Sequence, residues 1–375
     1  MTRPSEATRT SSGTDLPATM SAAVYQRRGE VTIEERPVPH PGPGQVLVEV
    51  GHCGICGSDI HVILEGWGKP GVIEGHEWTG TIAAVGPDAG AWAVGQAVVG
   101  GPSPRCGRCR RCREGKPSQC ENRERSMTED LGTDGAFAGY ILVDERALLH
   151  LPEGLSARAA ALTEPLAVAL HGITRAEVVE GDSVMVFGAG PIGALSIAAL
   201  VARGIGPVTV VEPAEIRRDL ALALGADEVL LPSDLEVFPL WEPDRMSERA
   251  VHVVLECSGK KAAMEAGFCQ LRRGGRMVMV GAGIEPPTFD SNRMLLNELS
   301  VCGSFVYDAD GFERALEMLA TDGFPLEELI APDDVPLDGL VDALHDLADG
   351  RIAAKAMVVP HRRSTPAGSR PEETP

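Results

Sequence analysis

Apolar residues recur along this chain in two rhythms, and the change falls near residue 164. Up to about residue 160 the apolar runs are short and broken by Gly and Pro. Ala22-Ala23-Val24-Tyr25, Val46-Leu47-Val48-Glu49-Val50 and the run from Thr79 to Val85 are examples. Short runs bounded by turn residues predict strands, so this part reads as a mostly antiparallel β domain. Beyond it, strand-like runs at Ser183–Phe187, Val208–Val211, Val251–Leu255 and Met277–Val280 alternate with helical stretches such as Pro191–Arg203. A second helix closes through Ala221–Leu224 at Gly225. The order β-α-β-α predicts a doubly wound parallel sheet. From about 305 to 360 the pattern shows β signals again, ending in Ala356-Met357-Val358-Val359, and is expected to rejoin the first domain. The Ser-, Thr- and Pro-rich ends, 1–20 and 361–375, read as disordered tails.

Composition narrows the class. The 375 residues suffice for two domains, and 43% hydrophobic with 23% charged residues is ordinary for a soluble protein. A net charge of −20 argues against nucleic acid or an anionic membrane as the main partner. Arg105, Arg108, Arg110, Arg111, Arg113 and Lys116 nevertheless crowd one short stretch. That stretch reads as a solvated basic lobe around a structural metal, with an RNA-binding zinc knuckle as the alternative. Nine cysteines, five at metal-like spacing, indicate reduced thiols and a cytoplasmic protein. The N-terminal MTRPSEATRTSSGTDLPAT lacks the apolar core of a secretory signal. The most apolar stretch, Gly188 to Gly206, fits a buried helix better than a membrane span.

Two ligand sets precede one dinucleotide fingerprint. Cys106, Cys109, Cys112 and Cys120 are spaced C-x2-C-x2-C-x7-C, so one lobe can wrap a tetrahedral zinc in four thiolates. The other set is looser: Cys56 in GICGSD, His76 and Glu77 in GHEW, and Glu164 in TEPLAVALHG. Mixed S, N and O donors with a vacancy suit a Lewis-acid zinc that accepts an alcohol oxygen. Asp59 is placed to take the other ring N–H of His76, or simply to cap its turn. Ser58 is placed to take the substrate hydroxyl proton, and His61 to pass it to solvent. His52, Cys53 and His171 read as packing or supporting residues. Trp67, Trp78, Phe137 and Phe305 are candidate pocket walls, with core packing the equal alternative.

The fingerprint is GAGPIG, with Gly188, Gly190, Pro191, Ile192 and Gly193 between a strand and a helix. There a pyrophosphate meets backbone amides and a helix N-terminus. Glu212 follows the next strand, nineteen residues beyond Gly193. A carboxylate at that point bonds both ribose hydroxyls and repels a 2′-phosphate, which favours NAD over NADP. Arg217 and Arg218 qualify that preference, and Arg217 is alternatively expected against the adenosine. Backbone at Gly281 or Ala282 can approach the nicotinamide. Cys257 lies at the end of a strand, and Cys269 and Cys302 read as buried apolar residues.

From about Ser21 to Pro360 the chain resembles the zinc-dependent medium-chain alcohol and polyol dehydrogenases, through the GHE box, the four-cysteine lobe, EPL, GAGPIG and Glu212. The resemblance implies a GroES-like catalytic domain (21–163 and 304–360) split around a Rossmann NAD-binding domain (164–303). It implies Cys56 and His76 as zinc ligands, with Glu77 or Glu164 completing the set. Glutamate at 164 matches the sorbitol and threonine dehydrogenase branch and points to a polyol, cyclitol or amino-alcohol substrate, amino-cyclitols included. It further implies two zinc ions, hydride transfer to NAD to give a ketone, and a homodimer or homotetramer. Two rivals stand beside this reading: an epimerase- or lyase-type enzyme that retains its NAD, and a binding protein that uses its zinc lobe on RNA or a partner.

Overall fold

The computed structural model describes residues 16–102, 106–122, 134–239 and 242–361. Most of the two expected tails lies outside them. What is described of the tails is tied down: β1 (Thr19–Arg27) begins within the first, and His361 approaches the Gly139 carbonyl at 3.2 Å.

The first unit is antiparallel. β1 pairs with β2 (Glu30–Pro37) as a hairpin. β3 (Gln45–Gly54) is the hub of the main sheet, flanked by β4 (Glu77–Val85) and β6 (Tyr140–Asp144), with β5 (Ala97–Gly100) and β7 (Leu148–His150) beyond β4. Its apolar run, Val46 to Val48 with Val50, is wholly buried among β1, Ile82 and Phe137. Irregularities in the β3–β4 register re-aim the strand ends, and the last pairs are Cys53 with Trp78 and Gly54 with Glu77. The end of β3 is thereby brought beside the start of β4.

A helix, α1 (Thr163–Ala176), leads into the second unit, with Pro165 tolerated in its first turn. Six parallel strands follow: β8 (Val184–Phe187), β9 (Val208–Val211), β10 (Glu228–Leu230), β11 (Val251–Glu256), β12 (Leu271–Met279) and β13 (Ser300–Gly303). Their order is β10-β9-β8-β11-β12-β13, the doubly wound arrangement in which the chain reverses direction between β8 and β11. Strands covered on both faces need continuous apolar runs, and Val-Met-Val-Phe in β8 is buried at every position. The crossovers include α2 (Pro191–Ala202), α3 (Glu215–Ala223) and α4 (Lys261–Cys269).

The expectation of β structure from 305 to 360 is corrected. This segment is mainly helical, with α5 (Gly311–Leu319) and α6 (Leu340–Ala348), and only Met357–Val358 (β14) forms a strand. Leu316 and Leu319 of α5, with Ala315, pack into the core that holds α1 and α2. The apolar spacing at 3.6 residues, not at two, is what buries them. The segment does reach the first unit, where β14 pairs with Cys53 and Gly54 of β3. Among the described residues no helix is long and apolar enough to cross a membrane.

Candidate active site and nucleotide site

The four-cysteine lobe closes on itself. Sγ separations are 3.6 Å for Cys106–Cys120, 3.9 Å for Cys106–Cys112 and 4.0 Å for Cys109–Cys120. Four sulfurs at zinc bond length around one tetrahedral ion lie about 3.8 Å apart, so the donor set fits zinc. Backbone N–H groups of Arg108 and Cys109 hold the Cys106 thiol down at about 6, in the range where it is a thiolate. Arg110 and Arg111 of the basic stretch both pair with Glu114. Arg105 lies outside the described residues.

The second set assembles from two separate segments. Cys56 follows β3, His76 precedes β4 and Glu77 opens it, and one donor atom from each lies within 4.8 Å of the others. Glu164, buried at the start of α1, is not in that group, but its charge acts on His76. Burial opposes a proton on His76, yet Cys56, Asp59 and Glu164 together raise its pKa well above the ordinary imidazole value. Burial likewise pushes the Asp59 carboxyl up to about 6 and Glu164 to about 7. Crowded anions around a soft thiolate and an imidazole are the donor chemistry of a divalent metal, and the buried Glu77 carboxylate adds oxygen donors whose charge is shared with an ammonium 2.7 Å from Oε2. The residues fit zinc.

Asp59 takes the capping role. Its Oδ2 accepts the Cys56 N–H at 2.9 Å, while Oδ1 stands 4.0 Å from His76 Nδ1, beyond hydrogen-bond length. Ser58 is exposed on the same turn. His61 sits on a π turn, Ile60–Leu64, with Nδ1 2.7 Å from Glu65 Oε2 and its ring stacked on Trp67 at 5.0 Å. Trp78 and Phe137 are core residues, whereas Trp67 and Phe305 are exposed. His52 is half-buried, and His171 Nδ1 lies 2.9 Å from Asp308.

One member was missed by sequence reasoning. Lys355 is 1% exposed, and its ammonium donates to Glu77 Oε1 at 2.8 Å and to the Ile55 carbonyl at 3.0 Å. Its only signal in the chain is a lysine inside the apolar run AAKAMVV.

The glycine turn lies at the reversal point between β8 and β11. A Cβ on Gly193 would stand 1.8 Å from the Gly188 carbonyl oxygen, so helix and turn meet only through glycine. Pro191 and Ile192 begin α2, whose N-terminus faces the turn. Glu212, buried at the end of β9, accepts N–H groups from Ala189 and Ala214. Arg217 donates to the Leu347 carbonyl at 2.8 Å, which ties α3 to α6. Arg218 donates to the Glu212 and Pro213 carbonyls. Cys257 is held beside the turn, its thiol pushed up to about 12 by burial. Gly281 also closes against this region, where a Cβ would meet Gly259 N at 2.4 Å. A cavity of about 750 Å³, lined by Val201, Arg203, Met318 and Phe324, contains none of these groups.

Residues 42–153 match the alcohol dehydrogenase GroES-like domain, and residues 191–321 match the zinc-binding dehydrogenase domain. The chain is 32% identical to a sorbitol dehydrogenase of Bacillus subtilis over 361 residues, covering 92% of this chain and 99% of that one. It is 33% identical to D-xylulose reductase A of Aspergillus oryzae, covering 86% and 92%. The acetophenone reductase of Geotrichum candidum, solved with NAD, superposes with a TM-score of 0.80 at 26% identity, covering 92% of this chain and 99% of that one. With a GroES-like unit joined to a Rossmann-type parallel sheet, this chain belongs to the zinc-binding medium-chain dehydrogenase family and is an NAD(P)-dependent alcohol dehydrogenase.

Proposed function

We propose that this enzyme oxidises a secondary hydroxyl of a polyol, cyclitol or amino alcohol to the ketone, with NAD as acceptor. The observation that carries this reading is the convergence of Cys56, His76 and Glu77 on one point, with Glu164 supplied by the helix that also packs on the nucleotide-binding sheet. The relatives named sorbitol dehydrogenase and D-xylulose reductase support a polyol-class substrate.

Cys56, His76 and a carboxylate, Glu77 or Glu164, would hold one zinc, and the four-cysteine lobe a second. Bound zinc supplies a Lewis acid that eases loss of the substrate's hydroxyl proton, and NAD supplies the hydride acceptor. Asp59 holds the Cys56 turn in place through its bond to the Cys56 N–H. The Ser58 hydroxyl relays the released proton, and His61, oriented by Glu65, delivers it to solvent. The α2 N-terminus receives the pyrophosphate. Glu212 receives the ribose hydroxyls, which favours NAD over NADP.

The domain division, 21–163 with 304–360 around 164–303, is part of this proposal, and β14 against β3 supports the return. The open edge at β13, flanked by exposed Leu295 and Leu296, supports a homodimer or a tetramer of such pairs. Nine cysteines free of disulfides support a cytoplasmic location. The test is NADH formation across polyols, cyclitols, amino alcohols and simple alcohols, with NAD or NADP and with or without a chelator. Chelator-sensitive turnover of one class with NAD is expected. Turnover that survives complete removal of zinc would overturn the reading.

A further inference from the structure

We infer that Lys355 is the built-in counter-charge of the candidate metal site, limiting how much negative charge a bound metal feels. This rests on the reading of Cys56, His76 and a carboxylate as metal donors. Cys56 and Glu77 converge with His76 on one point, and the carboxyl groups of Asp59 and Glu164 act on the same residues through their charge, the three carboxyl groups of Asp59, Glu77 and Glu164 being 1%, 0% and 5% exposed. Anions in a low-dielectric pocket repel one another strongly unless a cation lies among them. Lys355 provides one, 2.7 Å from Glu77 Oε2 and 2.8 Å from Oε1.

Its placement is built, not incidental. The ammonium bonds the carbonyl of Ile55, the residue before Cys56, and the carboxylate of Glu77, the residue after His76. One cation therefore joins both ligand-bearing segments. Backbone bonds hold it there: Lys355 N–H to the Leu329 carbonyl at 3.0 Å, and Ala331 N–H to the Lys355 carbonyl at 2.9 Å. Next door, Ile55 N–H donates to the Ala356 carbonyl at 3.0 Å. The slot is also cut to shape, since a Cβ on Gly54 would stand 2.2 Å from Glu77 Oε2 and 3.2 Å from Lys355 Cδ.

Two consequences follow from charge alone. A cation beside the donors weakens metal binding by direct repulsion, and it keeps the bound metal electron-poor. Lys355 thus exchanges affinity for Lewis acidity. Its ammonium contacts Glu77 and the Ile55 carbonyl, and it acts through Glu77, as a positioning residue.

The test measures cobalt(II) affinity by chelator competition. The one-thiolate site is read apart from the four-thiolate lobe by its thiolate-to-cobalt absorption. Lys355→Met is expected to tighten cobalt binding at the one-thiolate site by about tenfold or more, the scale of one unit charge removed at short range, while turnover of the zinc enzyme falls. Lys355→Arg should stay near wild type in affinity. Because Lys355→Met leaves Glu77 buried without its partner, the same step is repeated in Glu77→Gln protein. There Lys355→Met/Glu77→Gln, neutral at both positions, should again bind cobalt more tightly than Glu77→Gln alone. Unchanged or weaker affinity on removing the lysine in the Glu77→Gln background overturns the inference. Absence of a one-thiolate cobalt signal in the wild type would instead overturn the metal-site reading beneath it.

Discussion

Glu212 and Ala189 are joined by a 2.8 Å bond in which the carboxylate accepts the backbone N–H inside the glycine turn. The residue expected to take ribose hydroxyls therefore also braces the loop expected to meet the pyrophosphate. Glu212→Ala removes both supports. NAD affinity should fall by about tenfold or more, the scale of a lost hydrogen bond to a charged group, and the melting temperature should drop as well. NADP should not take over, because the turn itself is loosened. Calorimetric titration with each dinucleotide checks this, and NAD binding within twofold of wild type would contradict it.

The two cysteine sets should separate chemistry from stability. Cys56→Ala is expected to abolish turnover while the melting curve stays near that of the wild type. Cys109→Ser opens the lobe, whose Sγ atoms stand 3.6–4.0 Å apart, and should lower the melting temperature clearly. Zinc content and thermal unfolding measured on both variants decide the matter. A fully active Cys56→Ala protein or an unchanged Cys109→Ser melt would reject the corresponding role.

His61 and Glu65 form a dyad at 2.7 Å, covered by Trp67 on one ring face. General acid–base groups typically contribute about 10²–10⁴-fold. His61→Asn is placed at the low end of that range, because its side chain keeps 19% of its surface exposed and solvent can substitute in part. Glu65→Gln should lower kcat several-fold with little change in KM. The double variant should match His61→Asn alone, since Glu65 acts through the imidazole. Additive losses in the double variant would show that Glu65 has a separate task.

Stability should depend on pH through His171 and His52. Burial lowers the pKa of each below the ordinary 6.5, against the pull of Asp308 on His171 and of Asp334 on His52. The unfolded chain then binds more protons than the folded one as pH falls past 6.5, so these residues make stability decline with acidification. Above that value both forms carry neutral imidazoles and the effect vanishes. His171→Gln should flatten the fall in melting temperature between neutral and mildly acid pH, relative to wild type. A parallel fall in the two proteins would remove His171 from the account.

Local spacing made much of the site legible in advance. Four cysteines within fifteen residues can wrap an ion using only the lobe that carries them, and GAGPIG would bind a pyrophosphate through its own backbone and the helix it opens. Cys56, His76 and Glu77 were readable because each sits in a short motif. Lys355 was not, since it lies 278 positions from Glu77 and nothing near it in sequence explains a buried charge. Asp59 was legible as important but not in its task. Whether a carboxylate reaches a ring nitrogen or the backbone N–H three residues back is settled by about an ångström of loop placement.

By itself the sequence determined the parallel-sheet order of elements, the antiparallel first unit and the candidates for the short-range donor sets, because these depend on periodicity and on contacts within one loop. Only the tertiary structure decided that residues 311–319 fold as a helix against α1, that Arg217 is committed to the Leu347 carbonyl, and that β14 returns beside Cys53 to set Lys355 against Glu77. Those contacts join segments far apart in the chain. They form because buried apolar surface and buried charge must each find partners in the packed molecule, whatever their distance in sequence.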